Sequence, residues 1–127
     1  MVFTAAELEY LGTQQLGRLA TVSAGGVVQN NPVGFFLDDG AIVIGGFALG
    51  VSKKFRNVQR GSTVAFVVDD LASVNPWVVQ GIEVRGTAVA LTDVEPPLPY
   101  FSREIIRITP QQIITWGLPG PRSSRTV

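Results

Sequence analysis

The sequence predicts an all-β domain of six or seven strands with two or three short helices. Three observations predict it. Short apolar runs recur along the chain, separated by glycine, aspartate or proline. Only two stretches carry helix signals: Thr4-Ala5-Ala6-Glu7, and the basic segment Ser52 to Arg60 that ends at Gly61. Hydrophobic residues make up 46% of the 127 positions against 16% charged, which excludes disorder for most of the chain and suffices for one domain with its own core. Many strands and few helices suggest a closed barrel.

Each element follows in order. Thr4 and Glu7 form a capping box, so a helix runs from about Ala5 to Leu11, with Leu8 and Leu11 inward and Gly12 as its stop. Leu16 to Val22 is the first strand, Ala24-Gly25-Gly26 a hairpin turn, and Val27 to Leu37 the second strand. Asp38-Asp39-Gly40 tolerates the positive φ of a tight turn. A third strand, Ala41 to Gly46, leads into the basic helix. Thr63 to Val68 is the fourth strand and Asp69 to Asn75 a polar loop. Trp77 to Leu91 is a long strand or a pair, with Gly81 or Gly86 available for a bulge. The prolines of Glu95 to Pro99 make a linker. Tyr100 to Ile108 and Ile113 to Trp116 read as two last strands, broken at Thr109-Pro110. The expected domain is 4–117, with 118–127 a flexible C-terminal tail.

Composition narrows the chemistry. The chain has no cysteine and no histidine. That removes thiolate and Ser-His-Asp nucleophiles and the commonest zinc ligands, so no metal site is expected. Chemistry, if present, is carried by a cofactor. Ten basic and ten acidic residues cancel, so no global field recruits nucleic acid or an anionic membrane. No signal peptide or membrane-spanning run is read, and a cytoplasmic location is expected.

Local charge is another matter. Both lysines of the chain stand together in Ser52-Lys53-Lys54-Phe55-Arg56-Asn57-Val58, with Arg60 close behind. A basic helix start between two apolar strands suits a phosphate. The alternative is a solvated helix face.

The ordered series Gly26-Val27-Val28-Gln29-Asn30-Asn31-Pro32-Val33-Gly34-Phe35-Phe36, then Ser52-x-Lys54-x-Arg56-Asn57-Val58, then a strand ending at Asp69, resembles the pyridoxamine 5′-phosphate oxidase-like family. Gly81 to Ala88 and the closing Ile105-x-Arg107-Ile108-x-Pro110-x-x-Ile113-x-x-Trp116-Gly117 resemble the flavin/deazaflavin oxidoreductases that use coenzyme F420. The resemblance spans roughly Leu16 to Gly117. It implies a homodimeric split β-barrel, FMN-binding-like, with the cofactor site between subunits and a small-molecule substrate.

It also implies roles. Lys54 matches the phosphate lysine, with Arg56 and Asn57 a recurring pair after it; the alternative for Asn57 is that it only bonds backbone. Gln29, Asn31, Pro32 and Val33 match the strand lining the ring and ribityl chain. Ile44 to Phe47 matches the strand beneath the ring, where the bare α-carbons of Gly45 and Gly46 let a planar group approach; a plain strand end or bulge is the competing reading. Many members carry arginine where Ser52 stands, so Ser52 and Lys53 are expected to share the phosphate. Trp77 either stacks on the cofactor or packs, and Trp116 packs. No catalytic side chain is assigned; Tyr100, Ser52 or water could supply a proton. Arg18 and Arg85 either aid substrate binding or pair with acidic neighbours. The chain lacks the arginine- and histidine-bearing C-terminal segment of true pyridoxamine phosphate oxidases, an expectation against vitamin B6 oxidation. The implied activity is hydride transfer between reduced coenzyme F420 and a small electron-poor substrate. The alternatives are an FMN-binding oxidoreductase of the same fold and a non-catalytic carrier.

Overall fold

A computed structural model describes residues 2–127. Helix α1 (Ala5–Gly12) opens on the expected capping box: Glu7 N–H donates to Thr4 Oγ1 at 3.2 Å, and Thr4 N–H to Glu7 Oε1 at 2.9 Å. It runs one residue past Leu11, and Thr13 caps it. The inward residues are Glu7, Tyr10 and Leu11, whereas Leu8 is 36% exposed.

Strands β1 (Leu16–Val22) and β2 (Val28–Gly34) form the first hairpin, with Gly26 at φ 84° in its turn. β3 (Phe36–Asp38) and β4 (Ala41–Ile44) form the second, around Asp39 at φ 48° and Gly40 at φ 80°. A 3-10 turn (Leu49–Val51) precedes helix α2 (Lys53–Gln59). β5 (Val64–Ser73), β6 (Val78–Thr92), β7 (Glu104–Trp116) and β8 (Ser123–Thr126) complete the chain.

All eight strands join one antiparallel sheet, in the order β2-β1-β5-β6-β7-β4-β3, with β8 on β7. The segment expected as one strand, Val27 to Leu37, is two. β2 and β3 sit at opposite edges of the sheet, yet only Phe35 lies between them. One residue spans about 7 Å at most. The sheet therefore rolls until its edges nearly meet, but no ladder joins β2 to β3. This is a split barrel and not the closed one that the strand count suggested. Phe66, Val68, Ile82, Val84, Ile42, Ile44, Ile106 and Ile108 fill the roll at 0% exposure. Gly17 leaves room for Phe66, whose Cζ lies 2.2 Å from where a Cβ would stand.

Three further expectations are corrected. Asp69–Ser73 is strand and not loop, because it continues the β5–β6 ladder to Ser73↔Val78. The break expected at Thr109-Pro110 is absorbed by a register shift: Arg85 faces Gln112 while Gly86 faces Pro110. The spare residue, Gln111, marks a bulge that keeps a proline inside a strand. Gly86 is needed there, since a Cβ would lie 2.1 Å from Thr109 O. The stretch 118–127 is not a flexible tail throughout: β8 pairs Gln112↔Thr126 through Thr115↔Ser123. Arg125 also reaches the buried Glu7 carboxylate at 2.6 and 2.7 Å.

Candidate cofactor site

Helix α2 organises the site. Ser52 is its N-cap: Phe55 N–H donates to Ser52 Oγ at 3.3 Å, and the same hydroxyl donates to Leu49 O at 2.6 Å. Phe55 and Val58 bury at 1% and 3% and pull one face of the helix into the core. Asn57, 5% exposed, donates from Nδ2 to Thr21 Oγ1 at 2.9 Å and ties α2 to β1. Asn57 is thus a structural anchor bonded to a side chain. Lys53, Arg56 and Arg60 recur at spacings of three and four on the outward face.

Two open depressions flank the helix. One, of about 380 Å³, lies toward the first hairpin and is lined by Gln29, Lys53, Arg56, Asn57 and Arg60 among others. The other, of about 420 Å³, lies along the later part of β2 and the end of β4; Pro32, Val33, Gly45, Gly46, Ser52 and Lys54 line it with Ile44, Phe47 and Phe101. Eleven of the thirteen residues singled out from the sequence line one or the other. Asn31 lies on the same face of β2 as Gln29 and Val33, between the two depressions. Trp77 lines neither depression of the single chain: it is 67% exposed at the tip of the β5–β6 hairpin.

Charge is concentrated here. Five of the ten basic residues are paired: Arg18 with Asp69, Arg85 with Glu83, Arg103 with Asp93, Arg107 with Asp38, and Arg125 with Glu7. Arg18 and Arg85 are thus surface partners of carboxylates. Of the other five, Arg122 precedes β8, and Lys53, Lys54, Arg56 and Arg60 have no carboxylate partner among the described residues and all line the depressions. Beside them, Gln29 Oε1 is buried and has no hydrogen-bond partner. Gln29 faces Thr21 across the β1–β2 ladder, so its acceptor is held next to α2. Buried orphan acceptors are rare and mark a place where a donor belongs.

At Gly45, which lines the second depression, Phe101 Cδ2 and Pro97 Cδ lie 2.8 and 3.2 Å from the would-be Cβ, so protein rings crowd that side of its backbone. Gly46 has only Leu49 Cβ at 3.8 Å and stays accessible. Ser52 Oγ is already committed to its cap bonds. Trp116 packs as expected, with Cζ2 2.6 Å from the would-be Cβ of Gly81. Ser102 and Glu104, missed from the sequence, stitch the approach to α2. Ser102 Oγ accepts Leu49 N–H and donates to Gly46 O, each at 3.1 Å, and Glu104 Oε1 accepts Gly50 N–H at 2.9 Å. They lie more than 50 residues from their partners, and no local motif marks them.

The family model of pyridoxamine 5′-phosphate oxidase matches residues 3–117. The chain belongs to that family. A 5a,11a-dehydrotetracycline/5a,11a-dehydrooxytetracycline reductase of Streptomyces rimosus subsp. rimosus is 46% identical over 127 residues, covering 98% of this chain and 89% of the relative. That likeness supports an oxidoreductase enzyme. General Stress Protein 26 of Bacillus anthracis shares the fold at TM-score 0.69, with 18% identity and 96% of each chain covered. An FAD-binding protein of Mycobacterium smegmatis shares it at TM-score 0.63, with 21% identity, covering 89% of this chain and 92% of the other. Among the described residues no group of metal-ligating side chains comes together, and no helix is long and apolar enough to cross a membrane.

Proposed function

We propose that this chain is a coenzyme F420-dependent reductase that acts as a homodimer on a dehydrotetracycline-like substrate. The observation that carries the reading is the set of four unpaired cations on both sides of α2, in a chain of zero net charge. One phosphate needs one such centre. A ligand with a phosphate and a long anionic tail uses all four. The 46% identical relative supports reduction of an electron-poor double bond in a polycyclic substrate.

When bound, the deazaflavin supplies the hydride. The chain supplies position and charge. Lys54 holds the phosphate; Lys53, Arg56 and Arg60 hold the tail carboxylates. Gln29 Oε1 takes a ligand O–H or N–H. No side-chain nucleophile is required, consistent with a chain free of cysteine and histidine. Ser52 is removed as a proton donor because its hydroxyl hydrogen already serves Leu49 O. Tyr100 and water remain.

FMN at the same site is the second reading, favoured by the single cation, Lys54, in the depression beside Gly46. The test is an anaerobic assay of 5a,11a-dehydrotetracycline with reduced coenzyme F420 and, separately, with reduced FMN. Faster turnover with the deazaflavin is expected, and Lys54→Ala should weaken its binding by about 1.5–3 kcal/mol. Turnover with FMN alone would select the second reading. Binding of reduced cofactor without turnover would make the chain a carrier.

A further inference from the structure

At the rim of the second depression stands a group of aromatic rings that the core does not use. Phe47 is 75% exposed and Tyr100 63% exposed. Their rings stack with centroids 5.7 Å apart and planes 23° apart. Phe101 meets both edge-on, at 5.5 Å from Phe47 and 5.3 Å from Tyr100. Phe36 braces Phe101 from behind at 6.4 Å.

Exposed rings on loose loops would mean little, but these are built on a stitched base. Phe47 sits in the loop after β4, and Tyr100 and Phe101 in the loop before β7. Ser102 N–H donates to Gly46 O at 2.9 Å, its hydroxyl binds Gly46 O and Leu49 N–H, and Glu104 accepts Gly50 N–H. Gly45 lets Phe101 close onto β4, since a Cβ there would meet the ring at 2.8 Å. These bonds join the two loops, so the rings are presented together without a ligand. Such preorganisation lowers the entropy lost on binding.

We infer that Phe47, Tyr100 and Phe101 form a stacking wall that holds a flat, conjugated, fused-ring substrate against the cofactor depression. The inference rests on the function proposed above and names the residues that select its substrate. Phe47 and Phe101 line the depression that also contains Lys54 and the accessible Gly46. A ring system leaning on the wall is therefore next to the place assigned to the cofactor. Stacked and edge-on aromatic faces favour planar π-systems over aliphatic ones. The three wall side chains carry no charge, so the wall itself selects by shape. A second copy of the chain has a different apolar surface to use, the β5–β6 hairpin tip around Val74 and Trp77.

The test is a fluorescence titration of the cofactor-free protein with tetracycline as the flat probe, for the wild type, the double variant Phe47→Ala/Tyr100→Ala, and Tyr100→Phe. Coenzyme F420 affinity and sedimentation mass are measured on the same samples. Saturable wild-type binding is expected, weakened at least tenfold in the double variant and within threefold in Tyr100→Phe, with cofactor affinity changed less than tetracycline affinity and mass unchanged. No wild-type binding, or equal binding by the double variant, overturns the wall. A loss of dimer mass in the double variant also overturns it, because the rings would then be an interface. Tetracycline binding through the wall by a protein that binds no coenzyme F420 would keep this inference and defeat the cofactor reading. Cofactor binding with a failed wall would do the reverse.

Discussion

Gln29 shows how a single side chain separates folding from function. Its buried Oε1 is unsatisfied within the chain, which costs roughly 1–3 kcal/mol. Replacement by leucine should leave the free protein as stable or more stable in urea, yet weaken cofactor binding by about 1–2 kcal/mol. Loss of stability with unchanged affinity would show that the amide serves the fold. The glycines carry a related lesson. Gly45 and Gly46 look alike in the sequence, but Phe101 and Pro97 crowd the Cβ side of the first while that of the second stays open. Which one faces a ligand depends on a loop more than 50 residues away, and no local pattern could reveal it.

Helix α2 was legible because its signals are local. Ser52 caps it, Phe55 and Val58 anchor it, and Gly61 at φ 92° follows its end. The basic face came with it, since residues three and four apart must share a side. Strand β8 was not legible. Ser123-Ser124-Arg125-Thr126 has no apolar alternation, and its order comes from a distant partner, Glu7. Burial raises the Glu7 carboxyl, but the Arg125 hydrogen bonds, the Thr4 amide and the Arg125 charge outweigh it and hold it below the usual carboxylate range. A depressed folded pKa gives stability that is present above the unfolded value and lost as pH falls through the folded one. The contribution should therefore hold at pH 7 and decline below about pH 4.5, the ordinary value. Arg125→Ala leaves a nearly buried carboxylate with only the Thr4 hydrogen bonds and should cost as much as about 3 kcal/mol at pH 7. Urea midpoints at pH 7 and pH 4 check both. An Arg125→Ala loss that is no smaller at low pH would contradict the ion pair as its cause.

The whole molecule follows from one topological fact: β2 and β3 lie at opposite sheet edges with only Phe35 between them. The roll brings β1, β2 and α2 together with the end of β4, which creates both depressions. The two early hairpin turns and the apolar strands were readable from the sequence, but the count of eight strands and the break at Phe35 were not; an apolar run through Phe35 hides the change of sheet edge. The roll leaves an apolar arm, with Val74 69% and Trp77 67% exposed at the β5–β6 tip and Leu71 and Val79 each 39% along its stem. Such a surface suits a second copy, and sedimentation should show a dimer at micromolar concentration that Trp77→Glu shifts toward monomer. A monomer at every concentration would undo the shared-site arrangement. The decisive measurement is a fluorescence titration of the purified protein with coenzyme F420 and with FMN. Tighter binding of coenzyme F420, increasing with the length of its glutamate tail, is the predicted result. Equal or tighter binding of FMN, or no dependence on the tail, would contradict the assignment of the four cations along α2.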